Sequence, residues 1–208
     1  MSGRDKGHRI FAAVYDRMNS AAERRFIGPR RARLLNTLTG DVLDVGAGTG
    51  ANLPHLHRAA RVVATEPDPA MRRRLATKVG TAGVTIQVDD AAAEALPYAD
   101  DSFDAVVFTL VLCTVSDPAR ALAEAARVLR PDGRLIVLEH VRGAGGVARW
   151  QDRVTPLWNR LGAGCNPGRD TRAAIERAGF TFVEVEEFQP MPRWIPVSSW
   201  LQGVATRT

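Results

Sequence analysis

The chain has 208 residues, of which 45% are hydrophobic and 25% charged, the composition of an ordinary soluble globular protein with one substantial core, so a single domain over 1–208 is the expectation. No apolar run approaches the roughly 20 residues that span a bilayer, and the opening MSGRDKGHRI carries charges with no apolar stretch behind them; no integral membrane segment is expected and the location is read as cytoplasmic. The net charge of +5 invites an anionic partner, but aromatics make up only 6% and do not interleave with the arginine runs at 30–33 and 72–74, so nucleic acid is not the expected partner.

In chain order, 11–26 and 29–38 read as two helices separated by Gly28-Pro29. Short β-branched runs then alternate with helical spacing. Strands are predicted at 41–45, 61–65, 84–88, 103–108 and 134–139, with helices at 69–78 and 118–129. Asp117-Pro118 caps the second of these helices, and RPDGR at 130–134 forms the turn into the fifth strand. A helix over 147–161, interrupted near Thr155-Pro156, leads through GAGCNPG to a helix at 169–178. Two strands follow at 180–188 and 199–206, joined by a proline-rich link too short for a crossover helix, so this pair is expected to be antiparallel. The pattern predicts an α/β protein with five parallel strands closed by an antiparallel terminal pair.

The stretch DVLDVGAGTG, followed by Ala51, matches the glycine fingerprint G-x-G-x-x-G/A through Gly46, Gly48 and Ala51. Such a turn lets a ligand approach bare backbone, but alone it is weak evidence. Asp44, at the end of the first predicted strand, carries more information. A carboxylate there repels the pyrophosphate of a dinucleotide, whereas it attracts the ammonium of a methionine-bearing adenosyl ligand. Glu66, at the end of the second strand, suits the two ribose hydroxyls that both ligand classes share. An NAD-dependent oxidoreductase keeps the glycines and Glu66 but leaves Asp44 and the terminal antiparallel pair unexplained.

LDVGAGTGANL, ATEPDPAM, AEALPYADDSFDAVV and EAARVLRPDGRLIVLEHV, in this order and spacing, resemble the class I S-adenosylmethionine-dependent methyltransferases over nearly the whole chain. The resemblance implies a Rossmann-like seven-stranded sheet with helices on both faces. Its segments are N-terminal helices over the site (1–40), a cofactor-binding core (41–140), and substrate-side helices with the terminal strands (141–208). It places Asp44, Gly46, Ala47, Gly48 and Asn52 around the methionine end of S-adenosylmethionine and Glu66 on the ribose, with Pro67 and Met71 near the adenine. It also implies adenine contacts from Asp90 and Ala93, with Thr109 and Leu110 on the methyl-transfer face and Tyr15 closing over the cofactor. S-adenosylhomocysteine is the implied product.

The second half, with TLVLCTVSDPARALAEAARVLRPDGRLIVLEHV and GAGCNPGRDTRAAIERAGF, is similar to the branch containing the microsomal alkyl thiol methyltransferases. The implied activity is S-methylation of a small-molecule thiol acceptor, with N-, O- or C-methylation of another metabolite as the alternative. The branch carries an N-terminal membrane segment that this sequence does not show. His140, at the end of the fifth strand, is the candidate base, and Glu139 beside it could orient the imidazole, bind a substrate cation or cap the strand end. Cys113 reads as a small core residue, and Cys165, with Asn166, Arg169 and Asp170, as part of a helix cap. The two cysteines lie far apart without metal-type spacing, so no metal is expected. Trp150, Trp158, Trp194 and Trp200 fit either an apolar acceptor pocket or aromatic core.

Overall fold

The computed structural model describes residues 20–81, 83–161 and 164–208. Seven strands, β1 (Asp41–Val45), β2 (Arg61–Thr65), β3 (Ile86–Asp89), β4 (Phe103–Thr109), β5 (Leu129–His140), β6 (Phe180–Phe188) and β7 (Trp200–Arg207), stand in the order β3-β2-β1-β4-β5-β7-β6 in one mixed sheet. Two compact units divide the chain, Met1–Ala92 and Ala93–Thr208.

In the first unit a π-helical turn, Glu23–Ile27, runs directly into helix α1, Gly28–Leu35. The break expected at Gly28-Pro29 is absent: the Gly28 N–H reaches back to the Glu23 carbonyl, a wider turn that absorbs a proline unable to donate. The predicted helix over 11–26 lies largely outside the described residues. Strands β1 (Asp41–Val45), β2 (Arg61–Thr65) and β3 (Ile86–Asp89) pair in parallel, Asp41 opposite Arg61 and Val62 opposite Ile86. In β1 and β2 four of five residues are buried, as expected for parallel strands covered on both faces. Between β1 and β2 stands only a single 3₁₀ turn, Leu53–His55. Helix α2 (Pro69–Lys78) opens on Asp68, whose carboxylate accepts from the Ala70 and Met71 amides at 2.7 and 2.9 Å. Ala47, Leu53, Ala64 and Leu75 form a core against Val84, Ile86 and Val88.

The second unit holds β4 (Phe103–Thr109) and β5 (Leu129–His140) in parallel, with β7 (Trp200–Arg207) antiparallel to both β5 and β6 (Phe180–Phe188). The expected RPDGR turn is instead a bulge within β5: Leu129 pairs with Phe103 and Arg134 with Ala105, so Arg130–Gly133 loop outward. Helix α3 (Pro118–Val128) is capped by Asp117, which accepts from the Arg120 amide at 3.0 Å. Helix α4, Gly145–Leu161, continues through Pro156 without the predicted interruption, and the Thr155 hydroxyl donates to the Gln151 carbonyl at 2.7 Å one turn back. Helix α5 is Thr171–Arg177, with Asp170 as its cap. Among the described residues no helix is long and apolar enough to cross a membrane.

Candidate active site

In the first unit the end of β1 carries Asp44, fully buried in a parallel strand. Its Oδ1 accepts from Asn52 Nδ2 at 2.6 Å, while Oδ2 is buried with no hydrogen-bond partner among the described residues. Behind Asn52 stands Arg31, which donates to Asn52 Oδ1 and, through Nε, to Glu23 Oε1 at 3.0 Å. Burial pushes the Asp44 carboxyl up to about 7, against the hydrogen bond from Asn52 and the charge of Arg31. Arg31 was not among the residues the sequence singled out, because it sits in an arginine run that reads as a solvated face. Yet it is 3% exposed, and a buried cation needs a partner network of this kind.

Beyond β1 the chain turns through Gly46, Gly48 and Gly50, all with positive φ. Gly50 is where a side chain is excluded: a Cβ there would meet Leu75 Cδ1 at 2.9 Å. The fingerprint's third position, Ala51, is exposed, so Gly50 supplies the close packing. At Gly48 a Cβ would meet nothing within 4 Å, and its amide donates to Glu66 Oε2 at 2.9 Å. Glu66 Oε1 accepts from the Asp68 amide at 2.8 Å. Burial raises the Glu66 carboxyl above its ordinary value, those two amides opposing the shift. Each Glu66 oxygen keeps a lone pair for a further donor.

These features suit a methionine-bearing adenosyl ligand. The orphaned Oδ2 of Asp44 matches an ammonium, the open space at Gly48 admits the ligand to backbone, and Glu66 can accept from ribose hydroxyls. A dinucleotide is poorly served, because the loop leads into a three-residue 3₁₀ turn and not an α-helix whose N-terminus would hold a pyrophosphate. Ala47 is buried, its amide on the Thr65 carbonyl at 2.8 Å. Pro67 is exposed and Met71 half-buried, on either side of the α2 cap. Asp90 leaves its side chain 81% exposed, 3.9 Å from Arg72. Tyr15 lies outside the described residues.

In the second unit β4 ends at Thr109, and Leu110 follows with φ +62°, a strained backbone for a branched side chain. The next three amides all donate to Glu139: Val111 at 2.8 Å and Leu112 at 2.9 Å to Oε1, Cys113 at 3.3 Å to Oε2. Glu139 is fully buried, and burial lifts its carboxyl to about 7. Its three bonds hold this loop, and His140 stands beside it. Ala93 is buried.

The adjacent His140 turns Nδ1 toward two sulfurs, 3.9 Å from Cys113 and 3.6 Å from Cys165. The three donor atoms lie within 4.8 Å of one another. Cys113 is a buried core residue, as expected, and it meets Cys165 and His140 because separate elements converge: the loop after β4, the end of β5 and the turn before α5. Asn166 N donates to the Cys113 carbonyl at 2.8 Å, and Arg169 to the carbonyls of Leu112 and Val115, so the two loops are tied together. The neighbouring Cys165 and burial push the Cys113 thiol up, while the proximity of Cys113 and His140 pulls Cys165 down to about 5. Trp200 is buried with its ring edge to face with His140 at 4.2 Å, whereas Trp150 and Trp194 are exposed.

A mixed sheet with an antiparallel terminal pair and an acid at each of the first two strand ends fits an adenosyl-binding methyltransferase. Residues 43–137, drawn from both units, match the family model described as a methyltransferase domain. The thiol S-methyltransferase TMT1B of Rattus norvegicus is 37% identical over 173 residues, 80% of this chain and 70% of the relative. Among solved structures, a SAM-dependent methyltransferase of Thermotoga maritima shares 23% identity with a TM-score of 0.69, covering 96% of this chain and 98% of its own. A geranyl diphosphate methyltransferase in complex with SAM has a TM-score of 0.71 at 18% identity, covering 94% of this chain and 91% of its own. The chain belongs to the class I S-adenosylmethionine-dependent methyltransferases, and S-adenosylmethionine is its cofactor.

Proposed function

We propose that the chain acts as a single methyltransferase domain that transfers a methyl group to the sulfur of a small thiol. What carries this reading is the 37% identity, over 80% of the chain, to a relative named as a thiol S-methyltransferase. The sulfur-rich surroundings of His140 agree with it.

Asp44 Oδ2, with Asn52 and Arg31 behind it, would hold the cofactor's ammonium. Glu66 would accept from the ribose hydroxyls while its bond from Gly48 fixes the loop. The family resemblance assigns Pro67, Met71, Asp90 and Ala93 to the adenine and Thr109 and Leu110 to the methyl-transfer face. The cofactor supplies an electrophilic methyl group on a sulfonium. Alignment of that methyl with the acceptor in a dry site is worth roughly 7–11 kcal/mol. The thiol must still lose its proton: with a pKa near 8.5 only a few per cent is thiolate at pH 7. His140 and its two sulfur neighbours are the groups that activate it, and Glu139 positions the loop bearing Cys113.

The test is a panel of small thiols, amines and phenols with methyl-labelled cofactor. Thiols turning over fastest supports the reading. Faster transfer to an amine or a phenol refutes it and moves the assignment to N- or O-methylation.

A further inference from the structure

The cluster Cys113–His140–Cys165 is proposed above to activate the thiol, and its geometry suggests by what means. It is made of three different elements, and two of the donors are fixed through backbone. The Cys113 amide is held by Glu139, its carbonyl by Asn166, and His140 is the last residue of β5, paired with Trp200 of β7. Both sulfurs face one nitrogen, and all three atoms fall within 4.8 Å of one another. A disulfide would require only the two sulfurs; a third soft donor aimed at the same point is what a metal ion requires.

The dimensions agree. A tetrahedral ion with metal–sulfur bonds of about 2.3 Å and metal–nitrogen bonds of about 2.0–2.1 Å sets sulfur and nitrogen ligands roughly 3.6 Å apart. Nδ1 lies 3.6 Å from Cys165 Sγ and 3.9 Å from Cys113 Sγ. Two thiolates and a neutral imidazole cancel the charge of a divalent ion, which suits a position where both cysteines are buried. Sulfur-rich donor sets select soft ions over magnesium or calcium.

We infer that Cys113 Sγ, Cys165 Sγ and His140 Nδ1 bind one zinc ion, leaving a fourth coordination position for the sulfur of the acceptor. Three protein ligands with one open position is the pattern of a catalytic zinc, in contrast to the four-ligand structural site. A thiol entering that position binds as thiolate and releases its proton to solvent, so the ion activates the nucleophile at neutral pH. This second half rests on the thiol-acceptor reading; the metal site does not.

The experiment uses the full chain, stripped with chelator and titrated with Zn²⁺, then with Co²⁺ as a spectroscopic probe. One zinc per chain is expected, with sulfur-to-cobalt charge-transfer absorption and the intense visible bands of a tetrahedral ion. Cys113→Ser and Cys165→Ser should each weaken zinc binding by about a hundredfold or more. Both should retain wild-type circular dichroism and S-adenosylhomocysteine affinity, which show that they fold. Adding 2-mercaptoethanol to the cobalt protein should strengthen the charge-transfer band, and adding phenol should not. Zinc binding that is substoichiometric, or unchanged in the double serine variant, overturns the site. If the metal binds but the thiol leaves the spectrum unaltered, the fourth-position role falls and the site stands. If metal-free protein methylates thiols at the full rate, zinc has no part in catalysis while the thiol-acceptor reading survives. If no thiol is methylated with or without zinc, it is that reading which fails.

Discussion

Replacing Asp44 by asparagine separates what this residue does for the cofactor from what it does to the fold. The carboxyl is fully buried and lifted from an ordinary 3.8 to about 7, chiefly by desolvation. A pKa raised by folding means that the charged form is disfavoured in the native state. The stability associated with the neutral form is complete below about pH 4 and is lost as pH rises through about 7. At about 1.4 kcal/mol per pH unit, the gap corresponds to roughly 4 kcal/mol, of which roughly 2–3 kcal/mol is lost between pH 5 and pH 8. Asparagine keeps an oxygen for Asn52 and never ionises, so Asp44→Asn should lack that part of the pH dependence.

Urea unfolding at pH 5 and pH 8 measures this. With a slope of about 1–3 kcal/mol per molar, the wild-type midpoint should fall between the two pH values by about 1 M more than that of the variant. Buried Glu139 contributes a decline of the same sign in both proteins, so the comparison is the difference of differences. Binding should move the other way. Losing a charge-assisted bond to an ammonium costs about 1.5–3 kcal/mol, so S-adenosylhomocysteine should bind roughly 10–100-fold more weakly to Asp44→Asn in calorimetry at pH 7.5. Equal affinity in the variant, or an undiminished loss of stability between pH 5 and 8, would refute the assignment of a buried, ligand-seeking carboxyl.

Four further outcomes test the neighbouring elements. Gly50→Ala, at φ +84° with its Cβ 2.9 Å from Leu75, should lower stability by about 1–3 kcal/mol in urea unfolding. Gly48→Ala, at φ +58° in open space, should unfold only about 1–2 kcal/mol more easily, while its affinity for S-adenosylhomocysteine falls by more than about tenfold as the methyl fills the ligand's approach. Arg31→Lys should weaken S-adenosylhomocysteine binding nearly as much as Arg31→Met, because one ammonium cannot replace a fork that holds both Glu23 and Asn52; full rescue by lysine would show that only charge matters. Glu139→Gln sets an amide NH₂ against the Cys113 N–H, so kcat should fall about tenfold or more, for a loss of about 1.4 kcal/mol, with the S-adenosylhomocysteine Kd unchanged in calorimetry.

Most of the sheet could be read from pattern because the strands obey local rules. The spans 41–45 and 61–65 are short apolar runs between turn residues, and the structure keeps those boundaries. The terminal pair was legible from a link too short to cross over, and β6 and β7 are indeed antiparallel. Proline misled twice: at Pro29 a π-helical turn absorbs the missing donor, and at Pro156 the helix runs on, because neighbouring groups re-satisfy or widen the backbone. Asp44 and Glu66 could be singled out because strand ends in α/β folds collect ligands, and the structure buries both. Arg31 could not, since a charge in an arginine run looks solvated until tertiary packing buries it. The Cys113–His140–Cys165 convergence was hidden for a related reason. Spacing rules find chelates built on one loop, and this cluster is assembled from three segments brought together only by the fold.

Asp44 and Glu139 show why a raised carboxyl alone does not reveal a ligand site. Both are buried and both are lifted to about 7 chiefly by desolvation. Glu139 spends its oxygens on three backbone amides, so its burden is to hold a loop whose next residue after Thr109 is already strained at Leu110. Asp44 has one oxygen on Asn52 and another with no donor among the described residues. A buried acceptor left open carries a penalty that an arriving ammonium removes, so the same desolvation that weakens the empty protein strengthens its hold on a cationic ligand. The discriminating quantity is therefore the unfilled hydrogen-bond capacity at the buried acid. By that measure Asp44 is the acid we propose for the cofactor's ammonium, and Glu139 is the acid whose capacity is taken up by the loop after β4.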